Sequence, residues 1–178
     1  TSGPLKEEDV CQPVNVYGRH KLEAEQRTLR NLPDSVGLRL TWMYDLPDSC
    51  LKQNSNLLAN LQKASREGKT LQAAIHEFRG VTNVWEVVRN IDKVLSLPGG
   101  IYNFGSGNNV NSYELFLAAA TLMKLREPSE WILLDTDRFS DQQRNLTMNC
   151  ASIEAHGIQF NDSIEGIREA LQRPFRTK

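Results

Sequence analysis

Tyr17 and Lys21 are the two side chains whose types and spacing best suggest chemistry. They stand four residues apart in the helix-favouring segment PVNVYGRHKLEAE, residues 13–25. Positions i and i+4 lie on one face of a helix, so the phenol and the ammonium can approach the same small volume. Moving the pKa of a phenol from ~10 to about 7 takes about 4 kcal/mol of preference for the phenolate, which a lysine in a poorly solvated site can supply. Such a phenol can donate a proton to a carbonyl oxygen.

The string around this pair is more specific than the pair itself, because tyrosine and lysine at this spacing also occur on solvated helix faces. Its pattern P-x-N-x-Y-G-x-x-K-x-x-x-E resembles the active-site helix of the extended short-chain dehydrogenases/reductases, especially the dTDP-4-dehydrorhamnose reductase (RmlD-like) family. Further segments resemble that family in the same order, so the resemblance covers essentially the whole chain. They are VGLRLTWMY at 36–44, HEFRGVTNV at 76–84, IYNFGSG at 101–107 and QQRNLTMN at 142–149.

The resemblance implies an NAD(P)-dependent oxidoreductase of nucleotide-linked sugars. The reaction would be hydride transfer from NADH or NADPH to the keto carbon of a 4-keto-6-deoxy sugar. Tyr17 would protonate the oxygen, and Lys21 would bind the nicotinamide ribose and lower the pKa of Tyr17. Both residues are therefore expected to be catalytic and to contact the cofactor.

The resemblance also points to five substrate-binding side chains. Trp42 would pack against the sugar, although a tryptophan at a strand end is also a common core residue. Arg79 and Arg144 are candidates to hold a diphosphate, because a guanidinium fork matches phosphate oxygens; an arginine in an exposed salt bridge is the alternative for each. Thr82 and Asn103 would donate hydrogen bonds to the ligand.

Departures from the family pattern fall in the same ligand-facing segments. Gln142 and Gln143 replace Arg-Pro, Leu146 replaces Ser, Glu77 replaces Gln and Val81 replaces Pro. Losing an arginine and a hydroxyl while gaining a carboxylate should weaken the binding of an anionic diphosphate. Two alternatives therefore stay open: a noncatalytic regulatory subunit like that of methionine adenosyltransferase, and an epimerase or dehydratase acting on another nucleotide sugar.

The family's Gly-rich cofactor turn would precede the active-site helix, so we expect this chain to be a C-terminal portion that is inactive alone. Because such a portion would leave a sheet edge exposed, we expect it either to pair with a second copy as a homodimer or to rearrange. The turn at Gly105, Ser106 and Gly107 does not replace it, because Val110 takes the third glycine position of G-x-G-x-x-G. We interpret it as a structural turn, with Ser112 capping the next helix. Residues 1–50 are expected to belong to the dinucleotide-binding domain and residues 51–178 mostly to the substrate-binding lobe.

Hydrophobic periodicity predicts an α/β fold in which helices and strands alternate: the C-terminal part of a Rossmann-type NAD(P)-binding domain plus a small mixed α/β lobe. Such alternation favours a largely parallel sheet. Helical spacing marks residues 16–32, 55–66, 83–97, 112–125 and 164–172, and short extended runs mark residues 36–42, 70–75, 100–104 and 131–134.

Charge and composition argue against several kinds of binding partner. A net charge of −1 leaves no basic surplus for nucleic-acid binding, and no apolar run approaches the ~20 residues that span a membrane. The three cysteines and three histidines are scattered, which predicts neither a disulfide framework nor a metal site and favours a reducing, cytoplasmic setting.

Overall fold

The computed structural model describes residues 3–46 and 55–172, in which helices and strands alternate along the chain. The helices are α1 (Val16–Asn31), α2 (Leu57–Glu67), α3 (Val84–Val94), α4 (Ser112–Leu122), α5 (Pro128–Trp131), α6 (Ala151–Glu154) and α7 (Ser163–Gln172). The strands are β1 (Val36–Leu40), β2 (Trp42–Tyr44), β3 (Leu71–Ala74), β4 (Glu77–Phe78), β5 (Val81–Asn83), β6 (Gly100–Phe104), β7 (Ile132–Asp135) and β8 (Arg144–Asn145).

The strands pair in parallel throughout the described ranges. β1 pairs with β6, β2 with β5, β3 with β7 and β4 with β8. Each pair joins strands that are separated in sequence by at least one helix, as parallel pairing requires. The predicted α/β class with parallel strands is therefore confirmed.

The five predicted helices are all present, with ends that differ by at most three residues. The predicted strand over 36–42 is instead two strands, because the chain changes partner at Thr41: β1 runs beside β6 and β2 runs beside β5. The prediction that Ser112 caps α4 was wrong. Asn111 is the N-cap and forms a capping box with Glu114, while the Ser112 hydroxyl is buried and donates to Glu77.

The turn after β6 packs inside the protein. A Cβ placed on Gly105 would lie 2.6 Å from Thr41 Oγ1 and 2.8 Å from Thr82 Oγ1. Only glycine can approach these hydroxyls so closely. The interpretation of this segment as a structural turn therefore agrees with the structure.

Within residues 3–46 and 55–172, two hydrophobic clusters form the core. The first includes Tyr44 of β2, Leu61 of α2, Leu115 of α4 and Ile132 of β7. The second surrounds β6 and includes Phe104, whose ring meets the Phe160 ring edge to face with centroids 4.8 Å apart, together with Leu97, Tyr102, Ile153 and Ile158. α1 contributes no buried residue to either cluster, so polar contacts must help to hold it.

Within the described residues, no helix is long and apolar enough to cross a membrane. That part of the chain also contains no group of three or more His, Cys, Asp and Glu side chains that could hold a metal ion.

Candidate active site and ligand cavity

Tyr17 and Lys21 lie together in the first turns of α1. The helix begins where the Asn15 side chain accepts a hydrogen bond of 2.8 Å from the Gly18 N–H. Lys21 Nζ then lies 5.4 Å from the centroid of the Tyr17 ring. Tyr17 is 71% exposed, so water screens the ammonium from the phenol. Strong coupling between the two groups requires something that excludes water from this helix face.

A groove runs between α1 and β1 beside this pair. It encloses about 770 Å³ and is lined by Tyr17 and Lys21 from α1 and by apolar side chains of α1 and β1, including Leu22, Leu38 and Leu40. The wall is mostly apolar and also carries the Tyr17 phenol, the Lys21 ammonium and the Arg39–Glu25 ion pair, and such a wall suits a planar ligand that carries a polar reacting group.

A salt bridge anchors α1 to β1. The guanidinium of Arg39 donates two hydrogen bonds to the Glu25 carboxylate, at 2.9 and 2.8 Å, and a third of 3.1 Å to the carbonyl of Glu7. Both side chains of the Arg39–Glu25 pair are only about a fifth exposed, at 22% and 21%. The hydrogen bonds to Glu25 raise the pKa of Arg39. This bridge therefore fixes the helix that carries Tyr17.

A second cavity, of about 480 Å³, lies between β2, α2 and α4. Trp42 lies at its edge and is 64% exposed, so it is not a core tryptophan, and its contact with a sugar stays a prediction. The Arg79 guanidinium covers its ring, with Cζ 3.8 Å from the ring centroid. Stacking on an aromatic face orients a guanidinium while leaving its edge available for hydrogen bonds.

Glu77 occupies the centre of the polar side of this cavity. Its Oε1 accepts hydrogen bonds from Arg79 Nη2 at 2.6 Å and from Arg144 Nη1 at 3.2 Å. Its Oε2 accepts from the Ser112 hydroxyl at 3.2 Å. The β4–β8 pairing places Glu77 directly opposite Arg144. The two arginines predicted to hold a diphosphate are thus brought together, but around a carboxylate.

Thr82 and Asn103 were predicted to donate hydrogen bonds to a ligand, but both are buried and form hydrogen bonds within the protein. Thr82 is 1% exposed; its hydroxyl contacts the Thr41 hydroxyl and accepts from the Ser106 N–H at 2.8 Å. Asn103 is 2% exposed, and its amide donates to the carbonyls of Leu5 and Asn149 at 2.8 and 3.0 Å. We therefore leave both residues out of the site, because internal bonds use their polar groups.

The groove and the cavity share no lining residue, yet they adjoin the same extended segment. Leu40 lines the groove and Trp42 lines the cavity. Two residues of an extended chain span about 7 Å. A ligand held against Trp42 can therefore extend toward the α1 groove.

The structure adds three residues that the motif analysis did not assign to the site. Glu77 was noted only as a departure from the family pattern, Ser112 as a helix cap, and Arg39 only as part of the family-like segment 36–44. For Glu77 the sequence did contain a signal. This acidic residue lies two positions before Arg79, in a segment expected to bind an anion, so an ion pair between the two could have been predicted.

Comparison with known proteins places the sequence in a family. Residues 1–174 match the RmlD substrate binding domain. The chain is 25% identical over 178 residues to methionine adenosyltransferase 2 subunit beta of Danio rerio, covering 94% of this chain and 54% of that protein. The chain thus spans about half the length of such relatives.

Solved structures share the fold at low identity. A dTDP-4-dehydrorhamnose reductase from Bacillus anthracis in complex with NADP superposes with a TM-score of 0.74 at 16% identity, over 92% of this chain and 57% of that one. A dTDP-glucose 4,6-dehydratase from the same organism in complex with NAD superposes with a TM-score of 0.70 at 20% identity, over 96% and 55%. At these identities the likeness supports the Rossmann-type fold alone.

Proposed function

Because the chain belongs to the family of RmlD substrate binding domains, we propose that it carries the active-site helix and the substrate lobe of an NAD(P)-dependent reductase. The substrate is a nucleotide-linked 4-keto-6-deoxy sugar of the dTDP-4-dehydrorhamnose type. The observation that carries the proposal is the placement of Tyr17 and Lys21 on one face of α1, in a groove that adjoins the Trp42 cavity.

The chemistry assigned to this chain is proton donation and binding. The Tyr17 hydroxyl donates its proton to the oxygen of the keto group as that oxygen gains negative charge. Lys21 stabilises the phenolate that remains and binds the ribose beside the nicotinamide. The nicotinamide, as NADH or NADPH, supplies the hydride that reduces the keto carbon.

The residues present fit one end of this cofactor. A phenol and an ammonium beside an apolar groove match a nicotinamide riboside. The Gly105 turn does not match the diphosphate, because the Thr41 and Thr82 hydroxyls fill the space in front of it. The diphosphate contacts must therefore come from residues outside this turn.

The cavity is proposed to hold the nucleotide part of the substrate. The exposed ring of Trp42 offers an apolar surface for the sugar, and Arg79 and Arg144 offer guanidinium donors for phosphate oxygens.

We retain the division at residue 50 between the dinucleotide-binding and substrate-binding parts as a proposal. Homodimer formation and a cytoplasmic setting likewise stay predictions.

Two observations favour other members of the family. The relatives named methionine adenosyltransferase 2 subunit beta, together with the carboxylate between the arginines, favour a noncatalytic regulatory subunit. The likeness to a dTDP-glucose 4,6-dehydratase favours an epimerase or dehydratase on another nucleotide sugar. Retention of both Tyr17 and Lys21 favours the reductase over the regulatory subunit.

The test is NADH and NADPH consumption by the gene product of full natural length, given dTDP-4-keto-6-deoxy sugar. Tyr17→Phe should lower turnover by about 10² to 10⁴. Tyr113→Phe, on α4 and outside the groove, serves as the matched control and should keep the wild-type rate. Cofactor binding without consumption in the wild type would favour the regulatory subunit.

A further inference from the structure

We propose that Phe139 is a positioning residue, which holds the Arg144 guanidinium ready for a phosphate group of the ligand in the Trp42 cavity. Phe139 lies in the turn between β7 and β8, outside the wall of that cavity. It would therefore act on the ligand only through Arg144. The inference rests on the proposed function, because the ligand is the same diphosphate-linked nucleotide sugar.

The backbone of Phe139 is strained. Its φ of 65° lies in the left-handed region, which is rare for a residue with a bulky side chain. The turn that contains it begins at Asp135, whose side-chain Oδ1 accepts hydrogen bonds from the N–H groups of Asp137 and Arg138 at 3.3 and 2.9 Å. The Ser140 N–H then donates to the Asp137 carbonyl at 3.1 Å. Residues strained in this way persist only where their surroundings fix them, and they are concentrated at functional sites.

The ring of Phe139 does not pack into the core. It is half-buried but belongs to neither of the two hydrophobic clusters of the described residues. The ring instead meets two cations, because the Cζ atoms of Arg138 and Arg144 each lie 5.1 Å from its centroid. A guanidinium within about 6 Å of an aromatic centroid is attracted to the ring. Contact with the arginines therefore explains the position of this side chain better than core packing does.

Arg144 needs such a contact because little else orients its side chain. The β4–β8 pairing fixes its backbone, and its N–H donates to the His76 carbonyl at 2.9 Å. Its side chain is 41% exposed and makes one hydrogen bond to the described residues, of 3.2 Å to Glu77. A single, partly exposed ion-pair contact holds a long side chain only weakly. The Phe139 ring supplies a second contact, which reduces the number of rotamers open to Arg144.

The N–H groups that remain on Arg144 are the ones that a phosphate can use. A guanidinium carries five N–H donors, and the bond to Glu77 takes one of them, on Nη1. The exposure of this side chain makes the others accessible to a ligand, unlike the buried Nε of Arg79. Glu77 lines the Trp42 cavity, so Arg144 stands on the polar side of that cavity. A guanidinium already oriented there loses less conformational entropy when an anion binds.

The experiment measures the affinity of the full-length protein for dTDP by titration calorimetry, in a double-mutant cycle. Phe139→Leu keeps an apolar side chain but removes the ring, and should weaken dTDP binding by about three- to five-fold, the range for an exposed cation–π contact. Phe139→Tyr keeps the ring and should stay within about two-fold of wild type. In the Arg144→Gln background, Phe139→Leu should change the affinity by less than about two-fold, because the residue through which Phe139 acts is gone.

Phe139→Gly separates positioning of Arg144 from support of the fold. Glycine adopts the left-handed conformation without strain, so relief of strain offsets the lost ring contacts. This variant should lose affinity as Phe139→Leu does, while its Tm stays within about 2 °C of wild type. Lys124→Gly is the matched control, because Lys124 also has a positive φ, of 56°, and is exposed outside the cavity. It should leave the affinity for dTDP unchanged.

An equal loss of affinity on Phe139→Leu in the wild-type and Arg144→Gln backgrounds would overturn the inference while leaving the proposed function intact. A lowered Tm of Phe139→Gly together with wild-type affinity for dTDP would mean that Phe139 only supports the fold, and would overturn it as well. Coupled effects on dTDP binding without Tyr17-dependent consumption of NADH or NADPH would support the inference and refute the reductase. Absence of dTDP binding by wild type would overturn both the inference and the proposed nucleotide-sugar ligand.

Discussion

Removing the negative charge of Glu25 should loosen the helix that carries Tyr17. α1 buries none of its residues, so it depends on polar contacts more than the other long helices do. A central contact is the pair of hydrogen bonds from Arg39 to Glu25, at 2.9 and 2.8 Å. Glu25→Gln keeps the size of the side chain and one oxygen acceptor, but it loses the charge that makes both bonds strong.

The expected loss follows from the burial of the pair. A hydrogen bond to a charged group contributes about 1.5–3 kcal/mol when it is well shielded from water. The Arg39–Glu25 pair is about a fifth exposed, and the amide of the Glu25→Gln variant keeps one weaker bond to Arg39. We therefore expect a loss of about 1.5 kcal/mol in the free energy that holds α1 closed.

Amide hydrogen exchange measures this opening directly. A loss of about 1.5 kcal/mol corresponds to roughly ten-fold faster exchange of the amides of α1, with the strands of the core unaffected. Glu23→Gln is the matched control, since Glu23 pairs with Arg27 on the same helix but at the surface, with side chains 52% and 69% exposed. Its effect should be about two-fold or less. Equal exchange rates in the two variants would refute the anchoring role of Glu25.

Three further predictions concern the thiols, a buried carboxyl group and the proposed active-site lysine. Burial raises the pKa of Cys150 to about 11, so iodoacetamide at about pH 8 should modify the exposed Cys11 before Cys150. Peptide mass spectrometry measures both, and equal modification of Cys11 and Cys150 would contradict this prediction. Burial also raises the pKa of Glu86 above that of a carboxyl group in the unfolded chain. The free energy of unfolding therefore falls as pH rises from the unfolded-state pKa through the raised pKa of the folded state. Glu86→Gln should therefore raise Tm relative to wild type more at about pH 8 than at about pH 5, and a pH-independent difference would count against it. If the proposed reductase role is right, Lys21→Gln should weaken NAD(P)H binding, measured by titration calorimetry, and lower the turnover of the full-length protein. Tm should not change, because Lys21 is exposed on α1. Unchanged cofactor affinity would argue against the role of Lys21.

The long elements could be predicted from sequence because their patterns are local. α3 and α4 show helical periodicity and Asn caps, and Gly68 ends α2 in the left-handed conformation with φ 61°. Strands of two or three residues, such as β4 and β8, have no periodicity that a sequence pattern could reveal. They form because the chain brings distant segments together, as in the pairing of Glu77 with Arg144.

The residues of the candidate site show the same contrast between local patterns, which sequence reveals, and long-range contacts, which it does not. Tyr17 and Lys21 were predictable because they share one helix, and helical geometry fixes their proximity. The roles of Thr82 and Asn103 were not, because hydrogen bonding to distant residues decides whether a buried polar group faces a ligand or the interior. The position of Glu77 between two arginines likewise required the β4–β8 pairing.

Transfer of a deuterium label tests the central claim most directly. The full-length protein would be given NADPH or NADH carrying deuterium at both C4 positions of the nicotinamide, together with dTDP-4-keto-6-deoxy sugar, and the sugar product would be analysed by mass spectrometry. We predict deuterium at the former keto carbon with wild type, and a rate of label transfer lower by about 10² to 10⁴ with Tyr17→Phe. Unlabelled product, or labelling at an unchanged rate in Tyr17→Phe, would contradict the assignment of Tyr17 as the proton donor of a reductase.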